Sequence, residues 1–505
     1  MTPQPVADSI DWVALGVCVF FFALITIMGF WAARWKRAEN HAHLDEWGLG
    51  GRQFGTWITW FLLGGDFYTA YTVIAVPALV FAVGGFGFFA LPYTIIVYPI
   101  VFLIMPKLWV AAHRRGHVTS ADFVHERYGS RSLELAVAIT GVIATMPYIA
   151  LQLVGMAAVI KTIGLSGDIP IVVAFLILAL YTYSSGLRAP ALIAFVKDIM
   201  IYIVVLVAVI YIPWMLGGYG AVFEAAGKAM EARGGLSSLL LPPGRELPYA
   251  TLALGSALAA FMYPHTLTGV FAARDANTIR KNAVLLPAYT LLLGLIALLG
   301  YMAYGAGVKP ANANDVVPAL FKTIFPSWFA GFAFAGIAIG ALVPAAVMSI
   351  GAANLFTRNF WKAYINPDVT HAGEAAVAKI TSLAVKLGAL LWILYLPTKF
   401  ALDLQLLGGI CILQTFPSVV FGLYTGWFRA PALLLGWAVG LVGGSYLAWI
   451  DGLVPLHSLS IGGQNYSVYI GLLALIANVL VATIANLILM ALAPAANTGH
   501  AEPAR

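Results

Sequence analysis

Residues Gly64-Gly65-Asp66-Phe67-Tyr68-Thr69-Ala70-Tyr71-Thr72 interrupt an otherwise apolar run at 54–83. Two glycines followed by a carboxylate and several hydroxyls do not suit a continuous hydrophobic helix. The stretch reads as a membrane helix unwound at its middle, where half-helix ends present free backbone groups. Five spans later the same interruption returns within 249–272, as Gly255-Ser256 and then Met262-Tyr263-Pro264-His265. Two broken spans offset by five helices point to a five-plus-five inverted repeat.

The chain has 505 residues, 61% of them hydrophobic and 10% charged. A soluble domain carries about 25% charged residues, so this composition excludes a soluble multi-domain enzyme, a disordered chain and a nucleic-acid binder with a basic face. Cys18 and Cys411 both lie in apolar runs, which leaves no disulfide framework to read. Runs of about 20 apolar residues, the length a bilayer requires, occur at 12–33, 54–83, 86–110, 135–160, 169–184, 190–215, 249–272, 283–306, 328–356, 380–397, 401–425, 431–450 and 466–493. The first is too long for a signal peptide and follows Asp8 and Asp11 rather than a basic segment. With the N-terminus outside, alternation of these spans places 18 of the 27 Lys and Arg residues in inner loops and seven in outer ones, as the positive-inside rule demands. The expectation is an all-α polytopic membrane protein of thirteen helices, N-out and C-in. It forms a single transmembrane transporter domain over 1–505, with core repeats at 54–215 and 249–425 and a disordered tail at 494–505.

Within the spans, charge is scarce enough to be informative. A carboxylate at membrane depth costs at least about 2.5–3.5 kcal/mol, so Asp66 needs a cation, a proton or a hydrogen-bonding partner. It reads as a coupling-ion or proton site, with a protonated cap on the broken backbone as the structural alternative. Lys197-Asp198 and Lys386 sit near the cytoplasmic ends of their spans, which suits snorkelling or an inner-gate ion pair better than substrate contact. His265, beside Pro264, reads as a helix-end hydrogen bonder, and the Phe20–Phe22 and Phe86–Phe89 runs as lipid-facing or packing residues. No metal spacing, nucleotide-binding glycine loop or catalytic triad is present, so the chain reads as neither an enzyme nor a primary pump.

Five stretches, in order, carry a family resemblance. They are Gly64–Pro77; His117–Phe123 with Glu126-Arg127-Tyr128-Gly129; Ser185–Ala189 leading into Lys197-Asp198; Pro264–Arg274 with Arg280-Lys281; and Ala346–Lys362 with Thr357-Arg358-Asn359. Together they resemble the sodium:solute symporter family over nearly the whole chain. The resemblance implies a LeuT-like core of ten helices, with one helix before and two after, and alternating access to a midplane substrate site. The wording at Asp45–Arg52, Tyr68–Thr72 and Leu404–Gly409 most resembles the bacterial monocarboxylate permeases, which places the protein in the bacterial inner membrane. The family's sodium site uses carbonyls of the first core helix with an alanine carbonyl and two adjacent hydroxyls from the ninth span. That implies Gly64, Asp66, Phe67, Ala346 and Ser349 as the coupling set here. The second hydroxyl is replaced by Ile350, and a small hard cation needs its oxygen ligands, so the reading favours H+ over Na+.

The function expected is ion-coupled secondary import of a small monocarboxylate such as lactate, pyruvate or a short fatty acid. The anion would sit near half-helix N-termini, with Tyr68, Thr69, Tyr71, Thr72, Tyr148 and Gln414 as candidate binding residues. Alternatives are Na+-coupled symport of an amino acid such as proline or of another organic solute, and a membrane sensor module, against which the short C-terminal tail argues. A channel fits less well, since no ring of pore charges is visible. No cofactor is implied beyond a coupling H+ or Na+, and the implied partners are the carboxylate and the lipid bilayer, with neither nucleic acid nor an obligate protein partner.

Overall fold

Long apolar helices dominate the computed structural model, which describes residues 10–34, 43–65, 69–165, 167, 169–235, 237–395 and 401–492. Asp66, Phe67 and Tyr68 lie outside the described residues, as do Lys36, Arg37, Lys399 and the expected tail. Among the described residues, ten helices are long and apolar enough to cross a membrane.

In chain order the helices used below are α1 (Trp12–Trp31), α2 (Thr56–Gly65), α3 (Val76–Val83), α4 (Ala90–Arg115), α5 (Ser120–Tyr128), α6 (Arg131–Ile163), α7 (Ile169–Ser185) and α8 (Arg188–Met215). They continue as α9 (Glu246–Ala260), α10 (Pro264–Ala272), α11 (Ala276–Gly305), α12 (Ser327–Phe356), α13 (His371–Tyr395), α14 (Ala401–Ile412), α15 (Ala430–Ile450) and α16 (Ile470–Leu492).

Side-chain size decides what lies inside. α12 is rich in Gly and Ala, which lets neighbouring backbones approach closely. It is buried along nearly its whole length, with α1, α6, α8 and α13 packed around it. α1 starts where the Asp11 side chain accepts from the Ala14 N–H at 3.0 Å, and it turns Phe20, 63% exposed, outward. An exposed phenylalanine on a helix of this kind belongs against lipid.

The seventh span is broken, running as α9, an extended Tyr263 and α10. Of the second, α2 and a wide turn at Tyr71–Ala75 leading into α3 are described, and the expected break at Asp66–Tyr68 lies outside the described residues. The two spans are stitched together at both ends. The Phe54 N–H donates to the Ala272 carbonyl at 3.1 Å, and the Arg274 N–H donates to the Phe54 carbonyl at 2.9 Å. At the far end the Gly85 N–H donates to the Ser238 carbonyl, in the segment preceding α9, at 2.8 Å. The start of one broken span thus meets the end of the other, the antiparallel relation an inverted repeat requires.

Among the described residues the fold is all-helical but for one short hairpin. Strands β1 (Leu456–Ile461) and β2 (Gln464–Tyr469) form an antiparallel hairpin between α15 and α16. Gly462 and Gly463 at its tip have φ of 60° and 81°, the positive pair a two-residue primed turn needs.

Candidate functional site

Other helices meet the backbone on either side of residues 66–68. The carbonyl of Gly65, at the C-terminal end of α2 as described, accepts from Lys197 Nζ of α8 at 2.8 Å. An ammonium suits that end of a helix, where the dipole is negative. On the other side the Ala70 N–H donates to Gln152 Oε1 of α6 at 3.0 Å, while Thr69 Oγ1 accepts from the Tyr71 N–H at 3.0 Å. Side chains from two different scaffold helices therefore hold the residues flanking this stretch.

Close approach explains the two glycines. A Cβ at Gly65 would lie 2.9 Å from Lys197 Nζ, and one at Gly64 would lie 2.6 Å from Tyr289 Oη and nearer still to its ring. Tyr289 donates to Asp198 Oδ2 at 2.7 Å, and Asp198 Oδ1 stands 3.1 Å from Lys197 Nζ. Lys197 and Asp198 are both 0% exposed, so the ion pair is formed and neither side chain snorkels. Lys197 lies nine residues into α8, about 13 Å along the axis, which is deep relative to a hydrocarbon core of about 30 Å.

Beside this cluster, between the two breaks, lies a buried cavity of about 40 Å³. That is room for on the order of three waters. Leu63 of α2 lines it, with Tyr93 of α4, Tyr148 of α6, Tyr263, His265 and Thr266 at the seventh-span break, and Gln405 of α14. Pro264 sits in the first turn of α10, where its missing N–H costs nothing, and the N-terminal end of α10 carries the positive pole of that half-helix. Tyr263 Oη donates to the Gln405 carbonyl at 2.9 Å. The Tyr148 ring stands 5.3 Å from Tyr263 and 5.4 Å from His265. Among the described residues, His265 Nδ1 and Gln405 Oε1 are buried without a hydrogen-bond partner. Buried polar atoms of this kind normally have one, so two residues that line the cavity each keep an unused hydrogen-bonding atom.

The structure brings together some of the residues proposed from sequence and separates others. Tyr148 lines the cavity. Tyr71 and Thr72 are buried on the resumed helix with hydroxyls lacking partners among the described residues, and the Tyr71 ring meets Tyr93 edge-on at 6.1 Å. Gln414 lies away from the cavity: its amide donates to the Ile410 carbonyl at 2.9 Å, and its oxygen faces Asn478 Nδ2 of α16 at 3.2 Å. Ser349 Oγ donates to the Ala346 carbonyl at 2.8 Å and accepts from Ser382 Oγ at 3.0 Å. Ile350 is wholly buried beside it. Reading the sequence missed Gln152, Gln405 and Tyr289, and gave His265 the blander of two roles.

A second cluster joins the stretches that carried the resemblance. Asn359, beyond the end of α12, donates to Asp122 Oδ1 at 2.7 Å and to Glu134 Oε1 at 2.9 Å, and accepts from Thr119 Oγ1 at 2.7 Å. Thr119 and Asp122 form a capping box at the start of α5. Arg358 and Lys362 hold Glu374 at 3.0 and 2.7 Å. Arg188 pairs with Glu46, and Arg52 with Asp45 at 3.1 Å. His117 Nε2 stands 2.6 Å from Glu126. Burial, with the charges of Arg115, Arg52 and Arg358 added, outweighs Asp122 and holds the His117 imidazole below its usual range.

The family model for the sodium:solute symporter family matches residues 47–440. A monocarboxylate transport permease protein of Rhizobium johnstonii is 69% identical over 486 residues, covering 96% of this chain and 99% of that one. The uncharacterized symporter YodF of Bacillus subtilis is 33% identical, over 85% of this chain and 86% of its own. Among solved structures, a Na+-coupled sialic acid symporter superposes with a TM-score of 0.75 at 14% identity, over 95% of this chain and 98% of that one. Mhp1, a nucleobase-cation-symport-1 family transporter, superposes with a TM-score of 0.51 at 14% identity, over 86% and 93%. These two likenesses concern the fold alone.

Proposed function

The chain belongs to the sodium:solute symporter family, whose members are multi-pass membrane transporters rather than enzymes, and from that premise we propose that it imports small monocarboxylates, lactate and pyruvate among them, together with H+. The observation that carries the substrate reading is the small cavity at the N-terminal end of α10, lined by His265, whose Nδ1 is buried without a partner among the described residues. A carboxylate is favoured at the positive end of a half-helix. The 69% identical relative carries a monocarboxylate transport name, which supports the same substrate class.

For the coupling ion, the support is a protein cation beside the expected set and a missing ligand within it. Lys197 meets the Gly65 carbonyl, next to Gly64, and Ile350 supplies hydrocarbon where a hydroxyl would complete the set. In this reading Gly64, Asp66 and Phe67 line the break, Lys197 and Asp198 form the inner closure, and Thr69, Tyr71, Thr72 and Tyr148 shape the binding face. The ten long helices, α7 and the two broken spans make thirteen crossings with the N-terminus outside.

Proteoliposomes loaded at alkaline pH and diluted into acidic medium should accumulate labelled pyruvate or lactate without Na+. His265→Phe should raise KM for pyruvate with the protein still folded. Uptake that requires Na+ and ignores the pH gradient would remove the proton reading, and preference for proline over carboxylates would remove the substrate reading.

A further inference from the structure

Lys386 lies within α13, 1% exposed. Its Nζ donates to Ser382 Oγ, one turn back, at 3.0 Å; Ser382 Oγ donates to Ser349 Oγ at 3.0 Å, and Ser349 Oγ to the Ala346 carbonyl at 2.8 Å. A buried amine thus heads a hydrogen-bonded chain that crosses from α13 to the Ala346 carbonyl of α12. Lys197 is compensated by Asp198. Among the described residues, Lys386 has no acid within ion-pair distance.

The elements packed on α13 explain why. α12 carries no ionisable side chain. On α6, Glu134 is held by Arg131 and Asn359, Lys161 pairs with Asp315, and Tyr148 faces the cavity. On the helix Leu44–Leu49, Asp45 and Glu46 are taken by Arg52 and Arg188. α7 brings only Tyr181, buried without a partner, and Tyr183, whose ring receives Lys379 of α13 at 5.4 Å. Arg358 and Lys362 beyond α12 hold Glu374 of α13, which His371 approaches at 3.8 Å. Glu374 is twelve residues from Lys386, about 18 Å along the axis.

An ammonium buried without a counter-charge is expensive, so its charged and neutral forms lie closer in energy than those of a paired lysine. A substrate carboxylate entering the same low-dielectric bundle favours the charged form, and by reciprocity the ammonium favours the bound anion. We propose that Lys386 is the proton-binding group of the transport cycle, taking one H+ with each monocarboxylate, its Nζ heading the buried hydrogen-bonded chain that runs through Ser382 and Ser349 to the Ala346 carbonyl. This rests on the proton-coupled reading above. The translocated pair is electrically neutral: the amine gains one proton on the loading side and returns it on the other.

The test uses the full chain in proteoliposomes, with pyruvate accumulation under an imposed gradient of about one pH unit normalised to the counterflow rate of the same preparation. One pH unit supports up to about tenfold accumulation of a singly symported acid. Wild type should approach that ratio, and Lys386→Met and Lys386→Arg should fall to unity. Ser382→Ala leaves the amine but removes its acceptor, and should shift the pH of half-maximal uptake downward. Accumulation by Lys386→Met equal to wild type, or an unmoved midpoint in Ser382→Ala, overturns the assignment while leaving proton coupling intact. Sodium-dependent wild-type uptake indifferent to pH overturns both.

Discussion

Gly64→Ala is the sharpest perturbation of the broken helix. The new methyl would lie 2.6 Å from Tyr289 Oη and closer to the ring, whereas non-bonded carbons rest at about 3.5–4.0 Å. The ring must therefore retreat by roughly 1 Å or more. It has little room, being buried against Trp60 and Tyr202 at centroid distances of 4.8 and 6.1 Å. Overpacking of this sort costs about 1–3 kcal/mol. Retreat also breaks the 2.7 Å bond to Asp198, and a hydrogen bond to a charged group contributes about 1.5–3 kcal/mol. The expected destabilisation is thus about 2.5–6 kcal/mol, measured by SDS-titrated unfolding in mixed micelles. Tyr289→Phe removes the hydroxyl without the clash, so in that background Gly64→Ala should cost only its overpacking share. The cycle should be non-additive by about 1.5–3 kcal/mol, well beyond the scatter for independent sites. Additive losses, or a Gly64→Ala variant as stable as wild type, would refute the claim that the glycine exists to seat this tyrosine.

Three other outcomes follow from the geometry. Gln152→Leu strips the acceptor from the Ala70 N–H and should cost about 1–3 kcal/mol with loss of uptake, whereas Gln152→Glu, which keeps an acceptor, should be milder in both. Asn359→Ala removes three hydrogen bonds and leaves Asp122 and Glu134 facing each other with fewer donors; hydrogen exchange should rise in α5 and the start of α6, and unchanged protection there would contradict the hub role. His117 is held below its usual range mainly by burial, so the unfolded chain takes up the proton first as pH falls. Its share of stability is full above the ordinary imidazole value, near 6.5, and is lost as pH drops below it. Thermal midpoints between about pH 7.5 and 5.5 should fall further for wild type than for His117→Gln, and parallel curves would exclude this origin.

The breaks were legible because glycines and polar side chains interrupt a period of apolar residues that nothing else could explain. The depth of Lys197 and Lys386 was not. Each sits close in sequence to the end of an apolar run, and only packing reveals that α8 starts nine residues before Lys197 and α13 fifteen before Lys386. Gln414 and Gln405 show the same limit in angular form. Nine residues are about two and a half helical turns, so the two amides point to opposite sides, and composition alone offers no reason to choose the one that reaches the cavity. The hairpin had a readable signal, two alternating strands around Gly462-Gly463, but the apolar run beginning at 466 absorbed its second strand. His265 needed the cavity itself, since an unsatisfied nitrogen is a property of surroundings.

The ties on either side of residues 66–68 have a mechanical consequence. Gly65, at the described end of α2, is joined to α8 through Lys197, and Ala70 is joined to α6 through Gln152. The two described stretches of the second span therefore answer to different helices. A tilt of α8 against α6 is delivered to them as a displacement of Gly65 relative to Ala70, so the span registers the angle between its two neighbours.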